Sequence, residues 1–318
     1  MTNTNRRNFL KTVAAYGGAF ALAGKVAQAA PDWKKQIGLE MYTVRDLMAK
    51  DYEGTFAKVA EIGYKEVEPA SNGYGGMEPK RFRAMLDRLG LSMPSTHVGA
   101  TDGPGLEKEL EGFQIMGLKY TEVSGPRGGG AGGGAAKKAK GAAPAAPAAT
   151  GEDAIKRTAE QLNKHGEIVR KFGMKMLYHN HAPEFQPFEG STLRPYDILL
   201  KETDPALVAM QLDIGWATVA GQNVLEMFQK NPGRFELWHV KDARGIKNLP
   251  AQFNQRERMG AITLVPVGKG EVNYKPIFAQ AELAGMKHFC IEQDNAADWG
   301  DSMAAARASF ENLNKILG

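Results

Sequence analysis

Short apolar runs alternate with helical stretches along nearly the whole chain, and no other feature limits its fold so tightly. Strands are predicted at 36–42, 65–69, 91–97 and 120–123, then in the run that ends at His179, and at 208–213, 235–240 and 288–292. Between them, apolar residues recur at three- and four-residue spacing, which predicts helices over 52–62, 79–89, 106–116, 153–172, 193–202, 224–230, 274–284 and 303–317. Gly63, Gly90, Gly173 and Gly285 stand just past the ends of four of these, where a glycine stops a helix. Eight strand–helix units in about 290 residues predict a single-domain α/β protein, a (β/α)8 TIM barrel. A doubly wound open sheet is the competing architecture. Its dinucleotide-binding form needs Gly-x-Gly-x-x-Gly after the first strand, and none stands there.

In a parallel barrel the C-terminal ends of all strands open at one mouth, so residues distant in sequence meet there. Those ends carry Glu68, His97, His179 with His181, Asp213, His239 with Lys241 and Asp242, and Glu292. Four of the chain's six histidines fall in this set. Taken singly, each has a plain explanation: a histidine after a strand bonds to its loop, and Asp213 before Ile214-Gly215 caps the next turn. Glu292 is harder to explain, because it follows Phe289, Cys290 and Ile291, and a lone carboxylate in apolar surroundings is costly. A divalent cation shared with Asp213 and two imidazoles relieves that cost, so a metal site is expected at the mouth.

The segments Val67-Glu68-Pro69, Thr96-His97, Tyr178-His179-Asn180-His181, Leu212-Asp213-Ile214-Gly215, His239-Val240-Lys241-Asp242, Val267-Gly268-Lys269-Gly270-Glu271 and Ile291-Glu292 follow one another in a distinctive order. Together they resemble the xylose-isomerase-like barrel superfamily of sugar isomerases, ketose 3-epimerases, inosose dehydratases and endonuclease-IV-like enzymes. The likeness runs over about residues 36–316, apart from an insertion described below. It implies one divalent ion held by a fifth-strand residue, Asp213, His239 and Glu292. Most relatives carry Glu-Asn-His where this chain has His179-Asn180-His181, so His179 takes the place of a carboxylate, with His181 and Glu184 as alternatives. The extra imidazole moves the expected ion from Mg²⁺ towards Mn²⁺, Co²⁺, Fe²⁺ or Zn²⁺. Trp216 stands where many relatives place a second histidine, which argues against a multinuclear zinc cluster.

The chemistry implied is removal of a proton next to a carbonyl, with a cation stabilising the resulting enediolate, in isomerisation, epimerisation or dehydration of a sugar. Glu68 is the first candidate for the base or for a contact to a substrate hydroxyl. His181 and Lys241 are candidates for donating a proton or orienting the carbonyl, and Glu292 for both ligation and proton exchange. His97, Tyr178, Glu184, Trp216 and Asp242 are expected near the substrate; Tyr42 and Trp238 are further aromatics that could stack on a sugar face. With a keto-glycoside, the same proton abstraction would expel a leaving group. Three rival readings stand beside this one: a metal-dependent phosphodiesterase or abasic-site nuclease of the same fold, a non-catalytic periplasmic sugar-binding protein, and an inactive barrel acting as an interaction module. The sequence leaves homo-oligomerisation open.

Two segments fall outside the repeating pattern. Asn5-Arg6-Arg7-Asn8-Phe9-Leu10-Lys11-Thr12 resembles a twin-arginine export signal, and Ala27-Gln28-Ala29 offers a small-residue cleavage site after residue 29. That implies recognition by the twin-arginine machinery, a barrel of residues 30–318 in the periplasm or another extracytoplasmic space, and a non-phosphorylated sugar. Arg6, Arg7, Lys11 and Lys25 account for the whole formal charge of +4, so the mature chain is neutral and nucleic acid is not an expected partner. The leader is too short and too weakly apolar for a stable membrane span. Residues 125–150, nearly all Gly, Ala, Pro and Lys, have little to bury and are expected to form a flexible insertion; their glycine runs lack the Gly-Lys-Ser/Thr of a phosphate loop. Cys290 is the single cysteine, so no intrachain disulfide can form.

Overall fold

The computed structural model describes residues 33–124 and 151–318; the expected leader (1–29) and insertion (125–150) lie outside the described residues. Seven parallel strands neighbour one another in the order Glu66–Glu68, Gly38–Glu40, His288–Ile291, Leu237–Val240, Val208–Asp213, Lys175–His179 and Tyr120–Thr121. The two outermost strands are joined through residues 91–97, which were expected to be a strand and form only one bridge, Glu66 with Ser92. Val67 N–H donates to the Ser92 carbonyl at 2.9 Å, and Tyr120 N–H donates to the Pro94 carbonyl at 3.0 Å. Pro94 has no N–H to return, so the ladder cannot be regular there. The segment nonetheless fills the eighth place and closes the cylinder.

The helices Tyr52–Ile62, Pro79–Leu89, Leu106–Met116 and Val224–Lys230 have the predicted bounds. Two further elements had no amphipathic signal or lay in a long connection. Ile214–Val219 is a helix buried on nearly every side, so its sequence shows no polar face to read. Asp242–Arg244 pairs antiparallel with Thr263–Val265 beside the mouth. The predicted 274–284 helix is two pieces, Tyr274–Phe278 and Ala281–Ala284.

Side chains alternate across each strand, so Val67 faces the helices while Glu66 and Glu68 face the barrel interior. The main apolar core lies between strands and helices, where Phe56, Phe82, Val169, Phe228 and Leu313 pack with Val67, Val208, Leu212, Val240 and Ile291. A separate small cluster of Tyr120, Leu177, Ala209 and Leu237 fills the barrel itself. Gly38 is required on that inner wall: a Cβ there would lie 2.7 Å from the Phe289 carbonyl oxygen and 2.8 Å from Cys290 Sγ. Trp238, an aromatic open to either sugar stacking or core packing, is a core residue. It stacks on Phe228 at 5.1 Å and donates its indole N–H to the Phe235 carbonyl. Among the described residues, no helix is long and apolar enough to cross a membrane.

Candidate metal centre

His179 and Asp213 are the last residues of their strands, His239 lies one before the end of its strand, and Glu292 follows His288–Ile291 directly. The register sets Asp213 against His239, and His239 against Cys290, so these strand ends sit side by side. One ligand atom from each of His179, Asp213, His239 and Glu292 lies within 4.8 Å of the others, and all four residues are buried. His179 Nε2 is 3.3 Å from Asp213 Oδ2. Neither His181 nor Glu184 belongs to this tight group.

The two nitrogens of His239 have different surroundings. Nε2 is 2.7 Å from Glu68 Oε1, an ordinary hydrogen bond. Nδ1 is 2.6 Å from Glu292 Oε2 and 4.0 Å from Asp213 Oδ2. Among the described residues both atoms are buried and neither has a well-formed hydrogen bond, so their 2.6 Å contact and the Lys241 ammonium at 2.9 Å from Glu292 Oε2 are what offset their burial. Buried polar atoms without good hydrogen bonds are expensive, and a cation bound by both would satisfy them. The residues therefore fit a divalent ion held by two imidazole nitrogens and two carboxylate oxygens. In that arrangement Glu68 would fix the ring and tautomer of His239 from behind.

Glu68 was expected as the base, and its surroundings correct that expectation. Its carboxylate is fully buried and meets Ser95 Oγ, Gln211 Nε2 at 2.8 Å, His239 Nε2 at 2.7 Å and His97 Nε2 at 2.9 Å. No face is left for a substrate. Burial opposes its ionisation, but the facing His97 and His239 more than reverse this and hold it well below the usual carboxylate range. His97, expected at the substrate, is also turned inward: its Nε2 lies 2.8 Å from Gln211 Oε1 and its Nδ1 3.9 Å from Glu122 Oε1.

Charges in the cluster push in opposite directions. Burial works against protonation of His239, yet Glu68 and Glu292 push it up to about 10. An ion binding at Nδ1 must displace that proton. Burial and the neighbouring His239 and His97 hold His179 well below its ordinary value, so its imidazole is neutral and ready to ligate. Glu40 is raised by burial and by Glu292, whereas Lys241 and His239 overcome burial and hold Glu292 low.

The remaining expected residues divide into two sets. Asp242 is tied into the fold: its carboxylate accepts from the backbone N–H groups of Ala243, Gly268 and Gly270, each at 2.9 Å, and of Val272 at 3.1 Å. It shapes the 267–272 loop instead of meeting a substrate. Lys241 Nζ is 2.9 Å from Glu292 Oε2 and from Asp294 Oδ2, and 3.3 Å from Asp213 Oδ2, so three carboxylates hold it. Nearer the opening, Glu184 accepts from His181 N–H at 3.0 Å and from the Tyr178 hydroxyl at 3.3 Å. Burial raises Glu184 to about 7. Burial and Lys241 lower His181, whose ring lies 4.8 Å from that of His179. Asp213 does cap the Ile214–Val219 helix, through Oδ1 to Trp216 N–H at 2.8 Å, leaving Oδ2 for the cluster. The Trp216 indole is buried, and its N–H has no hydrogen-bond partner among the described residues.

Sequence reasoning missed Glu40, Ser95, Gln211, Glu122 and Asp294. Period two was the available signal: Ser95 and Gln211 stand two residues before His97 and Asp213, Glu40 two after Gly38, and Asp294 two after Glu292. Counting by twos along each inward face brings all four into view.

A profile of the xylose isomerase-like TIM barrel family matches residues 56–316. The chain belongs to that family. An inosose dehydratase of Geobacillus kaustophilus is 27% identical over 246 residues, 70% of this chain and 73% of the relative. One from Clostridium perfringens is 35% identical over 132 residues, 40% of this chain and 42% of its own length. Among solved structures of this fold, a sugar phosphate isomerase/epimerase from Parabacteroides distasonis has a TM-score of 0.62 at 21% identity, covering 93% of this chain and 98% of its own. The IOLI protein with a bound zinc atom has a TM-score of 0.60 at 14% identity, covering 89% and 98%.

Proposed function

We propose that this chain is a divalent-metal-dependent enzyme that removes a proton next to the carbonyl of a non-phosphorylated keto-sugar or keto-cyclitol and then expels a β-leaving group. The observation that carries this reading is the meeting of His179, Asp213, His239 and Glu292, with a ligand atom from each buried residue within 4.8 Å of the others. The zinc in the IOLI protein supports a divalent ion, and the inosose dehydratase relatives favour elimination over simple return of the proton. When bound, the ion supplies positive charge beside the substrate's carbonyl oxygen.

The chain's own residues supply the acid and base. His181 is the better base: it is neutral, partly exposed, and its ring nitrogens make no hydrogen bond among the described residues. Glu184, raised to about 7, is protonated in much of the population at neutral pH and can give its proton to a departing hydroxyl or alkoxide. Lys241 already faces three carboxylates and is poorly placed to hold a phosphate. Isomerisation or epimerisation is the second reading, favoured by the fold's likeness to the isomerase/epimerase structure. We also read residues 1–29 as an export signal, so that residues 30–318 act outside the cytoplasm; a free sugar is the substrate that compartment offers.

The test is incubation of metal-loaded protein in D2O with a panel of keto-cyclitols, keto-sugars and keto-glycosides. Deuterium next to the carbonyl and an unsaturated ketone absorbing in the near ultraviolet are expected, both abolished by a chelator. Deuterium exchange without elimination would select the isomerase/epimerase reading. No exchange with any substrate would overturn both.

A further inference from the structure

We propose that Lys241 competes with the bound ion for the same two carboxylate oxygens, and that Asp294 sets how strongly it competes. This rests on the reading of His179, Asp213, His239 and Glu292 as ligands. The oxygens in question are Glu292 Oε2 and Asp213 Oδ2. Each faces the imidazole nitrogens of the cluster, at 2.6 Å from His239 Nδ1 and 3.3 Å from His179 Nε2 respectively. Each also faces the Lys241 ammonium, at 2.9 and 3.3 Å. One set of negative charge therefore serves two cations.

Lys241 cannot easily leave. It is 1% exposed, and the Trp216 ring lies 5.2 Å from its ammonium. Gly215 allows the backbone beside it to pass closely, since a Cβ there would come within 2.5 Å of Lys241 Cβ. Its third partner, Asp294 Oδ2 at 2.9 Å, is outside the ligand set and partly open to solvent. Asp294 thus holds the ammonium towards itself and relieves the pressure on the two ligand oxygens. Two like charges in a buried site repel strongly. The arrangement weakens retention of the ion and leaves more of its positive charge for a substrate.

The two ends of this lysine's contacts predict opposite effects. Protein stripped of metal is titrated with Mn²⁺ by calorimetry and with Zn²⁺ against a coloured chelator. K241M is expected to bind at least ten-fold more tightly than the wild type. D294N is expected to bind several-fold more weakly, because the ammonium then leans on Asp213 and Glu292 alone. Loosening of the fold would weaken both variants, so the opposed signs identify competition. Should K241M fail to fold, K241Q and D294N decide the matter. Unchanged or weaker binding in the Lys241 variant, or unchanged or tighter binding in D294N, overturns the proposal. A wild type that binds neither ion overturns instead the assignment of the four ligands.

Discussion

At the N-terminal end of the barrel strands, Glu236 meets Lys175, Lys287 at 2.5 Å and the Tyr120 hydroxyl at 2.9 Å, while Glu66 holds His288 Nδ1 at 3.0 Å from each oxygen. Burial would raise Glu236, but its two lysines reverse that and keep it below the ordinary range. Each acid there has settled partners, two ammonium groups for Glu236 and an imidazole nitrogen for Glu66. At the C-terminal end, Glu40 and Asp213 are pushed up while Glu68 and Glu292 are pushed down, and His179 and His239 move in opposite directions. The same residue types occupy both ends, even the same strand in Glu66 and Glu68. The N-terminal network is complete as folded. The other end shares its carboxylate oxygens among several imidazoles and one ammonium and shifts its titrating groups in opposite directions, as functional sites do.

The comparison breaks most visibly if metal binding ignores it. D213A and E292A should each lower metal affinity at least a hundred-fold while circular dichroism stays native; full occupancy in both variants would place the ion elsewhere. E68Q should lower affinity about ten- to a hundred-fold by freeing the His239 ring. A large fall in turnover with unchanged metal content would restore Glu68 as the base. At the opposite end, E236A leaves two lysines without their acid and should cost about 3 kcal/mol, read by denaturant unfolding, with metal affinity unchanged. Loss of metal in E236A would mean that the two ends are not independent.

The smallest expected effect concerns Glu184, raised by burial from an ordinary 4.5 to about 7. The folded state prefers its neutral form, so its contribution is fully present below about pH 4.5 and is lost as pH rises through 7. Relative to E184Q, the wild type should lose about 2 kcal/mol between those limits, allowing for partial exposure. Equal pH dependence in the two proteins would show that this carboxyl is not held neutral.

Much of the fold was legible because backbone periods are local. Glycines past helix ends, as at Gly90, and apolar spacing within 52–62 act through neighbours a few residues away. Where the period was absent, the reading failed. Residues 214–219 are buried on nearly every side, and Pro94 breaks the 91–97 ladder.

From sequence alone it followed that this chain is an eight-unit barrel and that His179, Asp213, His239 and Glu292 come to the same end of it, because strand direction and alternation are properties of the local chain. Only the tertiary structure decided which atom of each faces which neighbour: that Glu68 is enclosed by Ser95, Gln211 and two histidines, that Asp242 holds a loop, and that Lys241 shares its oxygens with the ligand cluster. Those outcomes depend on how the barrel's register sets strands opposite one another, and on which buried charges find partners across it. Both are set by packing between residues far apart in the chain, which no local pattern records.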